Sequence, residues 1–305
     1  MITNIPTEAD YENTAFPLLN LAWENAINLA VCLDEAKQFA SESIPEKDYW
    51  IACQSQLSTA VSLVQQATEF LLKARIASVS PYLLITGPPR EWPKGCNSSD
   101  TPFADFYAID AQDLIRAHDT VAATRLPDGM KILFEEMRKL RNSIMHTVDK
   151  RLKLEVKQVV AAILEISNWS VGSCKWIEIR REHIEHSPNS IAYEASSDQA
   201  TYFLAREMMK AVDILDPTEA KRFFGFDKKQ RRYICPECAS DCGDFEFQPN
   251  LAFLLPNEPS STNLHCFLCG NDFAVIRKNC PEDDCKGNVL SSDDECCLTC
   301  FTTSQ

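Results

Sequence analysis

The chain has 305 residues, 45% of them hydrophobic, and a formal net charge of −14. That length and apolar content allow one good core and a smaller module. The charge argues against holding nucleic acid by bulk attraction. The sign is uneven, because residues 131–157 are locally basic, with Arg138, Lys139, Arg141, Lys150, Arg151, Lys153 and Lys157. Any contact with RNA is expected there.

Residues 1–13 are polar and acidic, without the basic start, apolar run and cleavage site of a signal peptide. Lys, Glu, Asp or Gln interrupts each apolar stretch, so none is expected to cross a bilayer. The expected location is cytoplasmic, with no membrane partner. Residues 13–40 predict a helix, with Leu19, Trp23, Ala26, Ala30 and Leu33 at helical spacing. A longer one is predicted from 45 to 78, with Trp50, Cys53, Leu57, Val61, Val64, Leu71 and Ile76 as its apolar stripe. Residues 81–102 are rich in Pro and Gly and predict a long surface connection. Asp110 is the expected cap of a third helix with Leu114, Ala117 and Val121 inward.

A fourth helix is predicted from Pro127-Asp128-Gly129 to about residue 148, with Leu133, Met137, Leu140 and Ile144 inward. It carries Arg141-Asn142-Ser143-Ile144-Met145-His146. At about 100° per residue, Asn142 and His146 lie nearly one above the other, with Arg138 beside Asn142. A basic, imidazole-bearing stripe therefore runs along a different side from the oily one; a solvated face is the plain alternative. A fifth helix spans 153–168, with Val156, Val159, Val160, Ile163 and Leu164. Five amphipathic helices with little strand signal predict an α-helical bundle.

The Arg, polar residue and His of the fourth helix resemble the motif of the HEPN ribonuclease superfamily. Glu69-Phe70-Leu71-Leu72-Lys73 on the second helix resembles that family's Glu-x-x-x-Lys segment. The resemblance covers residues 10–170 and leaves the tail out. It implies a mainly α, up-and-down helical bundle that works as a homodimer. The implied activity is metal-independent endoribonuclease cleavage of single-stranded RNA or tRNA at a composite site, leaving a 2′,3′-cyclic phosphate. Arg141, Asn142 and His146 would be catalytic and Glu69, Lys73 and Arg138 supporting, with no cofactor for catalysis. The implied setting is prokaryotic antiviral defence or a toxin system. Some members are silenced by modification of a Tyr two residues after the His; Val148 stands there in this chain, so that route is not expected. Other members have lost catalysis, and the alternative is a non-catalytic adaptor that binds a protein partner.

The same spacing recurs in Arg181-Glu182-His183-Ile184-Glu185-His186. It follows an alternating, strand-like stretch at 176–179 and has Glu after its Arg, so it is taken as a surface coincidence. A weak metal site of Glu182, His183, Glu185 and His186 is the other option. Residues 187–197 predict a loop and 202–215 a helix. Asp216-Pro217-Thr218-Glu219 has the cap, first-turn Pro and third-position Glu of a helix start. Gly225 ends that helix, and Lys228-Lys229-Gln230-Arg231-Arg232 predicts a charged linker.

Ten of the fourteen cysteines lie between Cys235 and Cys300, and eight form four short pairs. These are Cys235 with Cys238, Cys266 with Cys269, Cys280 with Cys285, and Cys297 with Cys300. Each turn presents two thiolates to one tetrahedral ion, so four turns predict two structural zinc ions, taken in order along the chain. A disulfide framework is the competing reading and needs an oxidising compartment. Cys242, His265 and Cys296 are spare ligands, with Cys296 the alternative to Cys297. Cys32, Cys53, Cys96 and Cys174 are expected to be small buried residues. Zinc ribbons often only replace a core, and Phe245, Phe247, Phe253, Phe267, Phe273 and Phe301 can pack round the metals. Residues 251–255 predict a strand or docking surface.

Asp283, Asp284, Asp293, Asp294 and Glu295 make the tail acidic, which suits a regulatory protein partner better than RNA. The expected organisation is a helical bundle at 1–170, a helical extension and linker at 171–232 and a double zinc ribbon at 233–305.

Overall fold

The computed structural model describes residues 1–39, 44–146, 152–188, 190, 193, 197–243 and 247–303. Among them are ten α-helices and a small C-terminal sheet, so the protein is mainly helical. The chain divides into two compact units. One comprises Met1–Ala26 with Pro45–Ser170, the other Ile27–Ile44 with Val171–Gln305. Helix α1 (Glu8–Phe39) contributes its first half to one and its second half to the other.

In the first unit β1 (Ile2–Thr3) pairs in parallel with β2 (Thr101–Pro102). Helix α1 starts at Glu8, before the expected residue 13, because Thr7 and Asp10 form a reciprocal cap. Asp10 N donates to Thr7 Oγ1 (3.2 Å) and Thr7 N donates to Asp10 Oδ2 (2.8 Å). Leu19, Trp23, Ala26, Ala30 and Leu33 are all buried, as their spacing predicts. By length and composition α1 could span a bilayer, contrary to the expectation from the sequence; 44% of its apolar window is nevertheless buried in protein. Core packing therefore accounts for much of that hydropathy.

The predicted second helix is two. Helix α2 (Glu46–Ala52) and α3 (Gln54–Val79) meet at Cys53, which ends the first and starts the second with φ of −80° and ψ of −4°. The break removes Trp50 from the apolar stripe, and α2 has no buried residue. Helix α3 buries Leu57, Val61, Val64, Leu71 and Ile76 as expected. Residues 81–102 hold only short 3₁₀ turns and β2, and Leu84 anchors them to the core.

Helix α4 (Ala111–Val121) buries Leu114 and, in place of the expected Ala117 and Val121, His118. Asp110 sits at its start but makes no capping side-chain hydrogen bond. Helix α5 (Asp128–His146) buries Met130, Phe134 and Met137. Its inner face is rotated from the one predicted, since Leu133, Leu140 and Ile144 are only half-buried. Asp119 fastens the two helices: it accepts from Leu126 N (2.8 Å), pairs with Lys131 Nζ (2.8 Å) and meets His118 Nδ1 (3.1 Å). Partial burial works against its ionisation, but these partners win and hold its carboxyl at about 2. Helix α6 (Val156–Val171) buries Val156, Val159, Val160, Ile163 and Leu164.

In the second unit, the stretch at 176–179 is helical, not a strand. Helix α7 (Lys175–His186) buries Trp176, Ile177, Arg180 and Ile184, a stripe whose period shows only over nine residues. Helix α8 (Ser197–Ile214) packs against it. Between them Arg180 and Glu207, both almost fully buried, form a bidentate ion pair with two contacts of 2.8 Å. Arg206 and Lys210 of α8 pair with Glu35 and Asp34 of α1.

Helix α9 (Pro217–Phe224) has the predicted capping box: Thr218 N and Glu219 N donate to Asp216 Oδ1 at 2.9 Å, and Asp216 N to Glu219 Oε2 at 2.8 Å. Gly225, with φ of 68°, ends it. Lys228 of the charged segment donates to the carbonyls of Asp213 and Leu215, covering the end of α8. Helix α10 (Pro236–Asp241) is followed by β3 (Ala252–Leu254), β4 (Asn263–Cys266), β5 (Asp272–Ile276) and β6 (Leu290–Ser291), an antiparallel sheet in chain order. Phe267 stacks on Phe224 at 5.1 Å and Phe253 packs on Phe226 at 5.6 Å, joining the sheet to the end of α9.

Removing one partner of the buried pair strands the other charge, so Glu207→Ala should lower stability by about 3–5 kcal/mol. The double variant Arg180→Met/Glu207→Leu should cost much less. Urea denaturation checks this, and a loss below 1 kcal/mol in Glu207→Ala would contradict it.

Candidate functional site

Between α3 and α5 lie two adjoining clefts. One, of about 290 Å³, is lined by Gln65, Glu69, Asp110, Arg138, Arg141 and Asn142, with Ala111 and Gln112. The other, of about 370 Å³, is lined by Ser62, Gln65, Gln66, Glu69, Phe70, Lys73, Arg141 and Met145. They share Gln65, Glu69 and Arg141. Helix periodicity explains the meeting: Ser62, Gln66, Glu69 and Lys73 recur on one side of α3 at three- and four-residue steps. On α5, Arg141 stands four residues after Met137, on the meridian of the buried Met130, Phe134 and Met137.

Five of the six site residues expected from the sequence line one or other of these clefts: Glu69, Lys73, Arg138, Arg141 and Asn142. Arg141 Nη1 donates to Asn142 Oδ1 at 3.2 Å, and Arg138 forms a two-pronged contact with Glu135 Oε2 at 3.2 and 2.8 Å. His146 is the exposed last residue of α5 and lines neither cleft. Val148, Lys150 and Arg151 lie outside the described residues.

The sequence reading missed Gln65 and Asp110. Gln65 is 1% exposed; its Nε2 reaches Glu69 Oε1 at 3.3 Å, while Oε1 has no hydrogen-bond partner. A buried acceptor without a donor costs about 1–3 kcal/mol. Asp110, free of capping duty, adds a carboxylate to the first cleft. Its failure to cap is not legible in sequence, because Asp before a helix is the ordinary capping signal.

The second Arg–His spacing lies on a helix too, so the strand-based reason for discounting it does not hold. Arg181 Nη1 donates to Thr201 Oγ1 at 3.0 Å. Among the described residues, Glu182, His183, Glu185 and His186 form no metal-ligating cluster. A further basic cleft, of about 430 Å³, is lined by Lys221, Arg222 and Lys229 with Asp227, Pro217 and Thr218.

The cysteine pairs assemble in chain order. Cys235, Cys238, Cys266 and Cys269 form one four-sulfur set and Cys280, Cys285, Cys297 and Cys300 another, every sulfur within 4.8 Å of the others in its set. Cys235 precedes α10 and Cys238 lies in its first turn, while Cys266 ends β4 and Cys269 follows it. Sulfur separations are 3.8 Å (Cys235–Cys269), 3.9 Å (Cys238–Cys266), 3.6 Å (Cys280–Cys300) and 3.9 Å (Cys285–Cys297). A tetrahedron with metal–sulfur bonds of about 2.3 Å has edges of about 3.8 Å. These separations match it and are far too long for disulfides, and none of the fourteen cysteines is in a disulfide.

Four thiols so close cannot ionise independently. Hydrogen bonding with Cys235, Cys266 and Cys269, with burial, pushes the Cys238 thiol up, while bonds from Cys235, Cys238 and Cys266 pull Cys269 down. A divalent cation at the centre removes that conflict.

Cys297, not Cys296, belongs to the second set. Cys296 is buried beside Asp294, which together raise its thiol to about 11. His265 pairs with Asp272 at 2.8 Å and Cys242 is buried, both outside the sets. Of the four scattered cysteines only Cys53 is buried; Cys32 and Cys174 are exposed and Cys96 half-buried, contrary to expectation. Phe253 and Phe267 are buried and Phe247 packs edge-on against Tyr202 at 5.3 Å; Phe245 lies outside the described residues.

Comparison with protein-family models, curated proteins and solved structures found no match.

Gly287 backs the second set. Its N–H reaches Cys285 Sγ at 3.3 Å, its carbonyl accepts from Cys280 N at 2.8 Å, and a Cβ there would stand 2.6 Å from Cys297 Sγ. Purified protein should carry two metal ions per chain, and Gly287→Ala should carry one, read by elemental analysis. Two ions retained in Gly287→Ala would contradict this account of the second set.

Proposed function

We propose that the protein is a metal-independent endoribonuclease of the HEPN type, acting on single-stranded RNA or tRNA at a composite site of a homodimer. The observation that carries the reading is the groove in which Arg138, Arg141 and Asn142 of α5 meet Glu69 and Lys73 of α3. These are five of the six residues that the family resemblance singled out; the sixth, His146, is at the exposed end of α5 and outside the groove.

Strand cleavage through the 2′-hydroxyl needs one group to accept a proton and another to supply one to the leaving 5′-oxygen. Imidazole titrates in the required range. One His146 takes the 2′-hydroxyl proton, and the partner's His146 protonates the 5′-oxygen. Arg141 meets the charge that builds on the non-bridging oxygens, with a fork suited to phosphate. Asn142, held by Arg141, orients the phosphate or imidazole. The pairing face is supplied by α5, where Leu133, Leu140 and Ile144 are half-buried and Met145 is 57% exposed beside His146. The exposure of His146 suits a site completed by a second copy.

The ions in the cysteine sets are zinc, a structural pair that stabilises the second unit and presents its acidic surface to a protein partner. Free thiols and thiolate sites fit a reducing, cytoplasmic setting. The biological role in this reading is antiviral defence or a toxin system of a prokaryote.

The test is incubation with single-stranded RNA and tRNA in excess EDTA. Cleavage should give 2′,3′-cyclic phosphate ends and fall by about 100-fold or more in His146→Ala and Arg141→Ala. Cleavage unaffected by His146→Ala, or dependent on added divalent metal, would overturn the proposal. Equal inertness of wild type and variant would favour the non-catalytic adaptor.

A further inference from the structure

The groove holds a polar arrangement that phosphate chemistry alone leaves unused. Its α5 side supplies donors, Arg138 and Arg141. Its α3 side supplies acceptors, the Glu69 carboxylate and the Gln65 amide, which line both clefts. Gln65 is almost completely buried, and its Oε1 has no donor. The orientation of the amide is dictated by its neighbour: turned over, it would set Oε1 against the Glu69 oxygen that Nε2 now meets at 3.3 Å. The unmet group is therefore an acceptor, next to a carboxylate.

We infer that this groove reads a guanine base, with Glu69 and Gln65 accepting from its N1–H and N2 amino group and the arginines donating to O6 and N7. Guanine carries two adjacent donors on one edge and two adjacent acceptors beside them. Arginine forks suit O6 and N7, and the edges of single-stranded bases are open to such contacts. Adenine and cytosine offer one amino group each, with a ring acceptor beside it in place of a second donor, and uracil has a single N–H between two carbonyls. Only guanine sets two adjacent donors against the acceptor wall and two adjacent acceptors against the arginines. The inference deepens the nuclease proposal by naming the nucleotide beside the scissile phosphate, and rests on it only for the step after binding.

The test is calorimetric titration of the full-length protein with GMP, IMP, AMP, CMP and UMP, beside single-stranded RNA bearing one guanosine or one inosine. GMP should bind about tenfold more tightly than each of the others, IMP included because it lacks the N2 amine. The guanosine RNA should exceed the inosine RNA by a similar factor if the base is read within a strand. A preference confined to GMP would assign the site to the free nucleotide.

Gln65→Met, which keeps the buried volume, and Glu69→Gln, at a half-exposed position, should each bring GMP down to the level of IMP. Their thermal melts report folding separately. Equal affinity for GMP and IMP, or no nucleotide bound by the wild type, overturns the inference. Guanine preference without His146-dependent cleavage would sink the nuclease reading alone; His146-dependent cleavage without base preference would sink this one alone.

Discussion

A single guanidinium sits where the packing of the first unit asks for an apolar side chain. Met130, Phe134 and Met137 point from α5 into the core, and the next position on that meridian is Arg141. A leucine there would let α3 and α5 close along their full length. The cation instead lines both clefts, beside Glu69 and the buried Gln65, with Lys73 in the second. Polar groups in such a seam cost stability, as the unmet acceptor of Gln65 shows. Sites that sacrifice packing in this way are commonly functional ones.

The second unit depends on a different constraint. Its strands are two to five residues long and could not form a stable sheet unaided. The two sulfur sets join segments that are distant in sequence, Cys235 with Cys269 and Cys280 with Cys300. Aromatic contacts from Phe224 and Phe226 then attach the sheet to the end of α9. Phe253 and Phe267 are thus occupied in packing and not free to stack on bases.

Legibility in the sequence followed the strength of the local chemistry. The cysteine pairs and the Asp216 box rest on fixed spacings, and both fell where the spacing put them. The face of α5 was read one step away because Leu133 and Leu140 are more apolar than their half-exposed positions demand, while Phe134 was overlooked. At 176–179 four alternating residues cannot distinguish a strand from a helix; Arg180 and Ile184 complete the helical stripe, but a buried arginine has no apolar signature. It is inside because Glu207, twenty-seven residues on, neutralises it. Gln65 and Asp110 escaped for the same reason: their roles come from what the fold places opposite them.

The most direct measurement is the thermal melt of Arg141→Leu beside its binding of single-stranded RNA. If Arg141 is placed for a ligand at the expense of packing, the leucine variant melts at a higher temperature than the wild type and loses RNA binding. A variant that melts lower and still binds RNA would show that Arg141 serves the fold, and the functional account of the groove would fail.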